Sequence, residues 1–271
     1  MRELIDCHVH TELSGHGSGT VAQTVSAAVF KGLSGLILTE HLPLPSGIDP
    51  DNHISMPMDV IGRYADEVSE WAERARDVQV VVGAEADWIP GREDEMAAIR
   101  SAASEAGVSV LLGSVHFLDG WAFDDPHDLQ AWENRDVDTV WSRYFELWCD
   151  AAASGLFDVM AHPDLVKKFG HVPAKDVSDL YAEAARAARE GHVAIEVSTA
   201  GLRRPVGELY PGPDLLRAFR EAGVPATVGS DAHDPSEVGR DIELAYVALH
   251  EAGYRHVSFP ISRDETRSIE L

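Results

Sequence analysis

The stretch Leu4-Ile5-Asp6-Cys7-His8-Val9-His10 decides the fold, because it is a short apolar run that ends in histidines. Six more short runs follow it along the chain, and they are apolar without a clear alternation of polar residues. Such runs are typical of parallel strands that are buried on both faces. The predicted strands are Leu4–Cys7, Leu36–Thr39, Val78–Ala84, Val108–Val115, Val159–Ala161, Ala194–Val197 and Ala226–Gly229, and His256–Pro260 is a candidate terminal strand.

Amphipathic stretches separate these runs, and several of them end in Ala-Gly or Glu-Gly, a common helix stop. The predicted helices are Val21–Lys31, Val60–Arg76, Glu93–Glu105, Val137–Ala153, Ala174–Glu190, Asp214–Ala222 and Glu237–Ala252. Seven strand–helix repeats with short returns predict a parallel sheet closed as a (β/α) barrel. The chain is therefore expected to be one α/β domain, 1–271. Its longest irregular stretches, Leu42–Pro57 and Leu118–Asp136, both follow strands and should overhang the C-terminal mouth of the barrel.

Charge and cysteine content narrow the classes of function. The chain has 271 residues, with 22 basic and 46 acidic side chains and a formal net charge of −24. Such a surface repels nucleic acid and anionic membranes. The two cysteines, Cys7 and Cys149, imply no disulfide framework, and we expect both to be packed as small apolar side chains. Neither a signal peptide nor a membrane span is indicated, so the sequence predicts a cytoplasmic protein.

Chemistry-bearing side chains concentrate where the predicted strands end. Residues two apart on a strand face the same way, so His8 and His10 can hold one metal ion, and so can Asp231 and His233. Four further strand ends carry a histidine or a carboxylate, and His16 follows in a glycine-rich loop. These additional residues are His41, Glu85, His116 and His162.

Seven of the 13 histidines thus lie at predicted strand ends or in the adjoining loop, together with two carboxylates. Imidazole and carboxylate together suit Zn, Fe or Mn better than Mg or Ca, and nine ligands suffice for two or three divalent ions. Three neighbouring carboxylates could either orient the imidazoles or be solvated: Asp6, Glu40 and Asp164. The other six histidines are expected to be ordinary: His53, His127, His171, His192, His250 and His256.

This constellation resembles that of the polymerase and histidinol phosphatase (PHP) family, in motif order and spacing, from residue 6 to 233. The resemblance implies a distorted seven-stranded, TIM-like (β/α) barrel with a trinuclear site. It implies that one metal is held by His8, His10, Glu85 and Asp231. Glu85 would bridge to a second metal, also bound by His116 and His162. The third would be bound by His16, His41 and His233.

Within that family, the stretch from Glu196 to Pro205 and the following Glu208-Leu209-Tyr210-Pro211 resemble the histidinol phosphatase branch, although the branch usually has Asn where this chain has Ser198. The implied reaction is hydrolysis of L-histidinol phosphate to L-histidinol and phosphate, in histidine biosynthesis, by a metal-activated hydroxide. The implied catalytic residues are Asp231, His233 and Glu85. Arg203 and Arg204 either clamp the phosphate or form a surface pair bridged to Glu208.

Alternatives remain at this level. Another PHP phosphoesterase could act on a different small monoester or a nucleotide, and amidohydrolase-like barrels also begin with His-x-His. The extra His16 and His41, with the two arginines, favour phosphate chemistry. Contacts to the imidazole and amine of the substrate are assigned only by position, to Asp87, Trp88 and the Leu118–Asp136 loop. The sequence leaves open whether the chain forms a homo-oligomer.

Overall fold

Seven parallel strands form the central sheet in a computed structural model that describes residues 3–271. The first two residues of the predicted 1–271 domain lie outside the described residues. All strands, in chain order, are β1 (Ile5–Val9), β2 (Gly35–His41), β3 (Gln79–Asp87), β4 (Val110–Ser114), β5 (Phe117–Leu118), β6 (Trp121–Ala122), β7 (Val159–Met160), β8 (Ala194–Ser198), β9 (Ala226–Gly229), β10 (His256–Pro260) and β11 (Thr266–Glu270). The sheet has the order β1-β2-β3-β4-β7-β8-β9, which follows the chain.

The sheet nearly closes into a barrel through the segment that follows β9. The backbone N–H of Asp231 donates to the carbonyl of His8 over 2.8 Å, and the N–H of His10 donates to the carbonyl of Ala232 over 2.8 Å. Val9 and Ala232 form a parallel bridge at the same place. The predicted (β/α) barrel with seven strands is confirmed, and the seam between its first and last strands lies at residues that carry the candidate ligands.

Helices alternate with the barrel strands and cover them. They are α1 (Val21–Phe30), α2 (Ile61–Arg74), α3 (Glu93–Glu105), α4 (Gln130–Glu133), α5 (Val137–Ala153), α6 (Ser178–Glu190), α7 (Pro213–Ala222) and α8 (Ile242–Glu251). Local sequence explains where several begin. Thr20 and Gln23 form a capping box at the start of α1, and the Asp136 side chain accepts a hydrogen bond from the N–H of Thr139 at the start of α5. No described helix combines the length and apolarity needed to cross a bilayer.

The predicted boundaries differ from the structure mainly at helix starts. The predicted helix Glu237–Ala252 begins only at Ile242, because a 3-10 turn occupies Pro235–Glu237 and Asp241 adopts a φ of 60° that no α-helix can include. Likewise, the helix predicted from Ala174 begins at Ser178. These differences leave the order of strands and helices unchanged.

Two hairpins lie outside the barrel sheet. Strands β5 and β6 pair antiparallel within the loop that follows β4, a stretch predicted to be irregular from Leu118 onwards. The predicted terminal strand β10 is present, but it pairs antiparallel with β11 as a separate two-stranded sheet. The β4 loop is therefore an ordered structure beside the barrel mouth, and the stretch Leu42–Pro57 contains no helix or strand, as predicted.

Candidate metal centre

The nine predicted ligand residues converge at one mouth of the barrel. The carboxyl ends of parallel strands share an edge of the sheet, so residues far apart in sequence become neighbours there. The imidazole of His10 stacks on that of His41 with a centroid distance of 4.5 Å, and on that of His233 with a centroid distance of 4.3 Å. His16, from the loop after β1, reaches the same cluster, with its Nε2 lying 2.9 Å from Nε2 of His233.

Glu85, at the end of β3, lies at the centre of the cluster and is only 1% exposed. Its two carboxylate oxygens face different imidazoles. Oε2 lies 2.9 Å from Nε2 of His8, 3.3 Å from Nε2 of His10 and 3.4 Å from Nδ1 of His41. Oε1 lies 3.2 Å from Nε2 of His162 and 3.9 Å from Nε2 of His116. This arrangement suits a carboxylate that bridges two cations.

Three groups of side chains have ligand atoms close enough together to hold one ion each. They are His8, His10 and Glu85; Glu85, His116 and His162; and His10, His41 and His233. Asp231 adjoins the first group, with Oδ1 3.4 Å from Nε2 of His10 and 3.8 Å from Nε2 of His8. The first two groups lie within the sets implied by the resemblance. In the third, His10 stands where the resemblance implies His16.

One contact supports divalent metal ions independently of the sequence motifs. Nε2 of His10 is buried and has no hydrogen-bond partner, although two carboxylates lie within 3.4 Å of it. A cation between the ring nitrogen and the carboxylates of Glu85 and Asp231 would satisfy all three. Imidazole nitrogen combined with carboxylate oxygen is the ligand type of Zn, Fe and Mn sites.

Burial and neighbouring charge act in opposite directions on the two carboxylates of the site. Burial alone would raise the pKa of Glu85, but electrostatic interaction with the imidazoles of His41 and His8 holds that pKa well below its usual range. Burial alone would also raise the pKa of Asp231, but the charge of His8 and the nearby imidazole of His10 hold it well below its usual range. Both carboxylates are therefore ionised at neutral pH, which is the form that binds a metal.

The imidazoles of His8, His10, His16, His41, His116 and His233 divide into two sets by the sign of their pKa shift. Burial disfavours the charged form of each of them. Where carboxylates prevail over burial the pKa rises: well above the usual value for His8, to about 9 for His10 and to about 10 for His116. Where burial combines with neighbouring imidazoles the pKa falls: for His16, for His41 and, to about 3, for His233.

The backbone at two of the candidate ligands is strained. Asp231 has a φ of 51° and His162 a φ of 26°, in a region that residues with a side chain rarely adopt. Such conformations cost of order 1–3 kcal/mol and concentrate at functional sites, where the surrounding contacts maintain them. Asp231 is held by the backbone bond from its own N–H to His8, across the seam of the barrel.

Outer carboxylates orient two of the imidazoles. Oε1 of Glu196 lies 3.0 Å from Nδ1 of His8, and Oδ1 of Asp87 lies 2.8 Å from Nδ1 of His116. Neither contact was predicted from the sequence, where Asp87 was only a candidate substrate contact. A signal for Glu196 does exist in the sequence, since it is a charged residue in the middle of a buried apolar strand.

The three carboxylates that neighbour candidate ligands are all buried, so the solvated alternative is wrong for them. They do not orient imidazoles directly either. Asp6 accepts hydrogen bonds from Ser230 and from the N–H of Gly239; Glu40 accepts from the N–H of Thr11 and from the Ser14 hydroxyl; Asp164 accepts from the N–H of Gly212 and from Lys167. Asp6 and Glu40 thereby hold segments next to candidate ligands, whereas Asp164 joins the loop after β7 to the segment before α7. Glu40 acts at one remove, because Oγ of Ser14 lies 3.3 Å from Nδ1 of His10.

The two arginines after β8 occupy different environments. Arg203 is largely buried, and its guanidinium donates to the carbonyl of Ser230 over 2.7 Å and lies 3.3 Å from the Glu237 carboxylate. Arg204 is exposed. The bridge to Glu208 expected for a surface pair is not formed, since the Glu208 carboxylate lies 3.0 Å from Nζ of Lys167 instead.

Comparison with known proteins agrees with this geometry. Residues 6–200 match the PHP domain family, and that span contains seven of the nine residues of the cluster. The chain belongs to the PHP family. Among PHP relatives, a probable histidinol-phosphatase from Deinococcus radiodurans is 39% identical over 260 residues, which is 96% of this chain and 97% of the relative. Histidinol-phosphatase from Bacillus subtilis is 28% identical over 91% of this chain and 98% of its own length.

A solved structure shares the fold. The crystal structure of histidinol phosphate phosphatase from Lactococcus lactis, in complex with zinc, L-histidinol and phosphate, superposes with a TM-score of 0.82. The match covers 98% of this chain and 100% of that chain, at 19% sequence identity. The predicted distorted, TIM-like PHP barrel is thereby confirmed.

Proposed function

We propose that this chain is a metal-dependent histidinol-phosphatase, which hydrolyses L-histidinol phosphate to L-histidinol and phosphate. The observation that carries the reaction class is Glu85, whose two oxygens face separate groups of imidazoles in a buried site. The substrate is supported by the PHP relative of 39% identity that bears the same activity in its name, and by the L-histidinol in the solved relative.

The proposed cofactors are two to three divalent ions, Zn, Fe or Mn. We propose as their ligands the nine residues that the resemblance implies: His8, His10, His16, His41, Glu85, His116, His162, Asp231 and His233. Bound there, divalent ions would lower the pKa of a water molecule, polarise the phosphoryl oxygens and hold the ester for in-line attack. Elemental analysis of the active protein should find two to three such ions per chain.

The remaining steps belong to the side chains. Asp231 is ionised at neutral pH, and its side chain, 15% exposed, faces the mouth. It is the candidate to accept a proton from the attacking water and to pass that proton to the leaving alkoxide. His233, with a side chain 23% exposed, lies 3.5 Å from it through Nδ1. Through its two oxygens, Glu85 keeps in place the imidazole of His8 in one group and that of His162 in the other. Because the protein carries a net charge of −24, the phosphate dianion depends on local positive charge at this mouth.

The first test is substrate selectivity. We expect kcat/KM for L-histidinol phosphate to exceed that for generic aryl phosphates at least about tenfold, a difference of about 1.4 kcal/mol in transition-state stabilisation. The measurement is a panel of phosphate monoesters, nucleotides and amides, assayed with Mn, Fe and Zn. Equal rates for histidinol phosphate and aryl phosphates would contradict the substrate while leaving the phosphatase class intact. Hydrolysis of amides alone would contradict the class.

The second test concerns the phosphate anchor. We expect Arg203→Ala to lower kcat/KM by about 30- to 1000-fold, since a charge-assisted contact contributes roughly 2–4 kcal/mol when its partner is left unpaired. Arg204→Ala is the matched comparison, and the exposure of Arg204 leads us to expect a smaller loss. The loss falls in KM if the contact is equal before and during attack, and in kcat if it tightens only then. Wild-type kinetics in both variants would show that neither arginine binds phosphate.

A further inference from the structure

Glu196 lies in the middle of β8 and is completely buried, yet it belongs to none of the groups that could hold an ion. Its two carboxylate oxygens have different partners. Oε1 lies 3.0 Å from Nδ1 of His8, and Oε2 accepts a hydrogen bond from the backbone N–H of His162 over 2.8 Å. One carboxylate therefore contacts a residue from each of two separate ligand groups.

The contact to His8 defines where its ring carries a proton. An ionised carboxylate can only accept hydrogen bonds, so Nδ1 of His8 must be the donor. Nε2 lies 2.9 Å from Oε2 of Glu85 and donates to it while the ring is protonated; once a metal displaces that proton, Nε2 offers its lone pair. A ring held in this tautomer presents to the centre of the site the nitrogen that a metal requires.

The contact to His162 acts on the backbone. His162 adopts a φ of 26°, and its N–H is held by Oε2 of Glu196 rather than by a neighbouring strand. The contact between Glu196 and His8 is possible because residue 229 on β9 is a glycine. A Cβ at Gly229 would overlap Oε1 of Glu196 and lie 2.5 Å from Cβ of His8.

We propose that Glu196 is a positioning residue for both ligand groups: it fixes His8 as the Nδ1–H tautomer and holds the strained backbone of His162. The inference rests on the proposed metal centre. It adds that the centre depends on a carboxylate outside its own ligand set, through two acceptor atoms at once.

The substitution Glu196→Gln tests the need for two acceptors, because glutamine has the same shape but only one oxygen. If that oxygen accepts from the N–H of His162, the amide NH₂ faces Nδ1 of His8. This favours the His8 tautomer with its proton on Nε2, and a protonated Nε2 cannot bind a metal. If the amide is reversed, two N–H groups face each other at His162. Either way one ligand group is impaired.

Asp87 provides a matched comparison. A single oxygen, Oδ1, lies 2.8 Å from Nδ1 of His116 and also accepts from the backbone N–H of His116 over 3.2 Å. The amide oxygen of asparagine can make both contacts, so Asp87→Asn removes a charge next to a ligand without removing a needed acceptor. Any effect common to both variants therefore reports loss of charge, and the difference between them reports loss of the second acceptor.

The experiment is a zinc competition titration with a chromogenic chelator, on wild type and both variants, with circular dichroism as a control for folding. We expect Glu196→Gln to weaken zinc binding by about 10- to 100-fold, the usual effect of losing an outer hydrogen bond that orients a ligand imidazole. For Asp87→Asn we expect a smaller loss, because the amide oxygen keeps both contacts to His116. Wild-type affinity in Glu196→Gln, or an equal loss in both variants, would overturn the proposal.

A second measurement needs no variant. In the zinc-loaded wild type labelled with ¹⁵N-histidine, His8 should show a proton on Nδ1, protected from solvent exchange by Glu196. A proton on Nε2 would overturn the proposal even if Glu196→Gln failed to fold. If the wild type bound no zinc at all, the proposed function would fail first, and the two failures are thus distinguishable.

Discussion

The substitution Glu85→Gln should leave the protein folded but remove at least one metal ion and lower kcat/KM by about 10³-fold or more. Both oxygens of Glu85 are in use, with Oε2 facing His8, His10 and His41 and Oε1 facing His162 and His116. Glutamine has one acceptor oxygen and no charge, so it can bridge neither group to the other. Elemental analysis and steady-state kinetics measure the two effects.

The control for Glu85→Gln is Asp164→Asn. Asp164 is as deeply buried as Glu85 and lies two residues from a candidate ligand, but its partners are Lys167 and the N–H of Gly212. It should lose stability while its metal content stays near that of the wild type. Glu85→Gln with full metal content and near-normal turnover would show that Glu85 is not a bridging ligand.

Removal of the metal ions by a chelator should abolish turnover. Rebinding of metal by the metal-free protein should then depend on pH with a definite sign. In the metal-free protein the pKa is raised to about 9 for His10, to about 10 for His116 and well above the usual value for His8. These rings are therefore protonated at pH 7, and a metal must displace their protons. Zinc affinity should rise as pH rises towards 9 or 10, and zinc addition at pH 7.5 should release up to about three protons per chain.

The same shifts give the metal-free protein its own pH dependence. Because the folded-state pKa values of these histidines exceed about 6.5, the unfolded value, their contribution to stability is complete below that pH. It is lost as pH rises through about 9 for His10 and about 10 for His116. Thermal unfolding of the metal-free protein between pH 6 and 10 measures this. Zinc binding without proton release would contradict the assignment of these rings as ligands.

The sequence alone predicted the barrel because its strands are buried on both faces and therefore appear as uninterrupted apolar runs. It could not reveal β5 and β6, since strands of two residues are too short to show a period. The start of α8 was placed too early because the amphipathic pattern continues into Pro235–Glu237, where the backbone instead forms a 3-10 turn. Periodicity reports which side chains are buried, and helix starts depend on backbone angles.

The convergence of candidate ligands was predictable for a geometric reason, since every one of them lies at or after the end of a parallel strand and those strands end at one edge. The contacts made by residues outside the ligand set could not be predicted in this way. The conformation of the loop after β8 could not be inferred, so the two arginines were treated alike although Arg203 is largely buried and Arg204 is exposed. Glu196 had no predicted role, because its partners His8 and His162 become its neighbours only when the strands assemble.

The position of the barrel seam has a consequence for the entropy of the unfolded chain. His8 and Asp231 lie on either side of the seam, with Nε2 and Oδ1 3.8 Å apart, and an ion bound to both would be a cross-link between the first and last strands. A cross-link that closes a loop of about 220 residues lowers the entropy of the unfolded chain. This stabilises the folded state by roughly 5 kcal/mol on the loop-closure estimate used for disulfides. The ions that supply the chemistry would thus also stabilise the folded chain. Metal-depleted chains should therefore be cut by proteases far faster than metal-loaded ones.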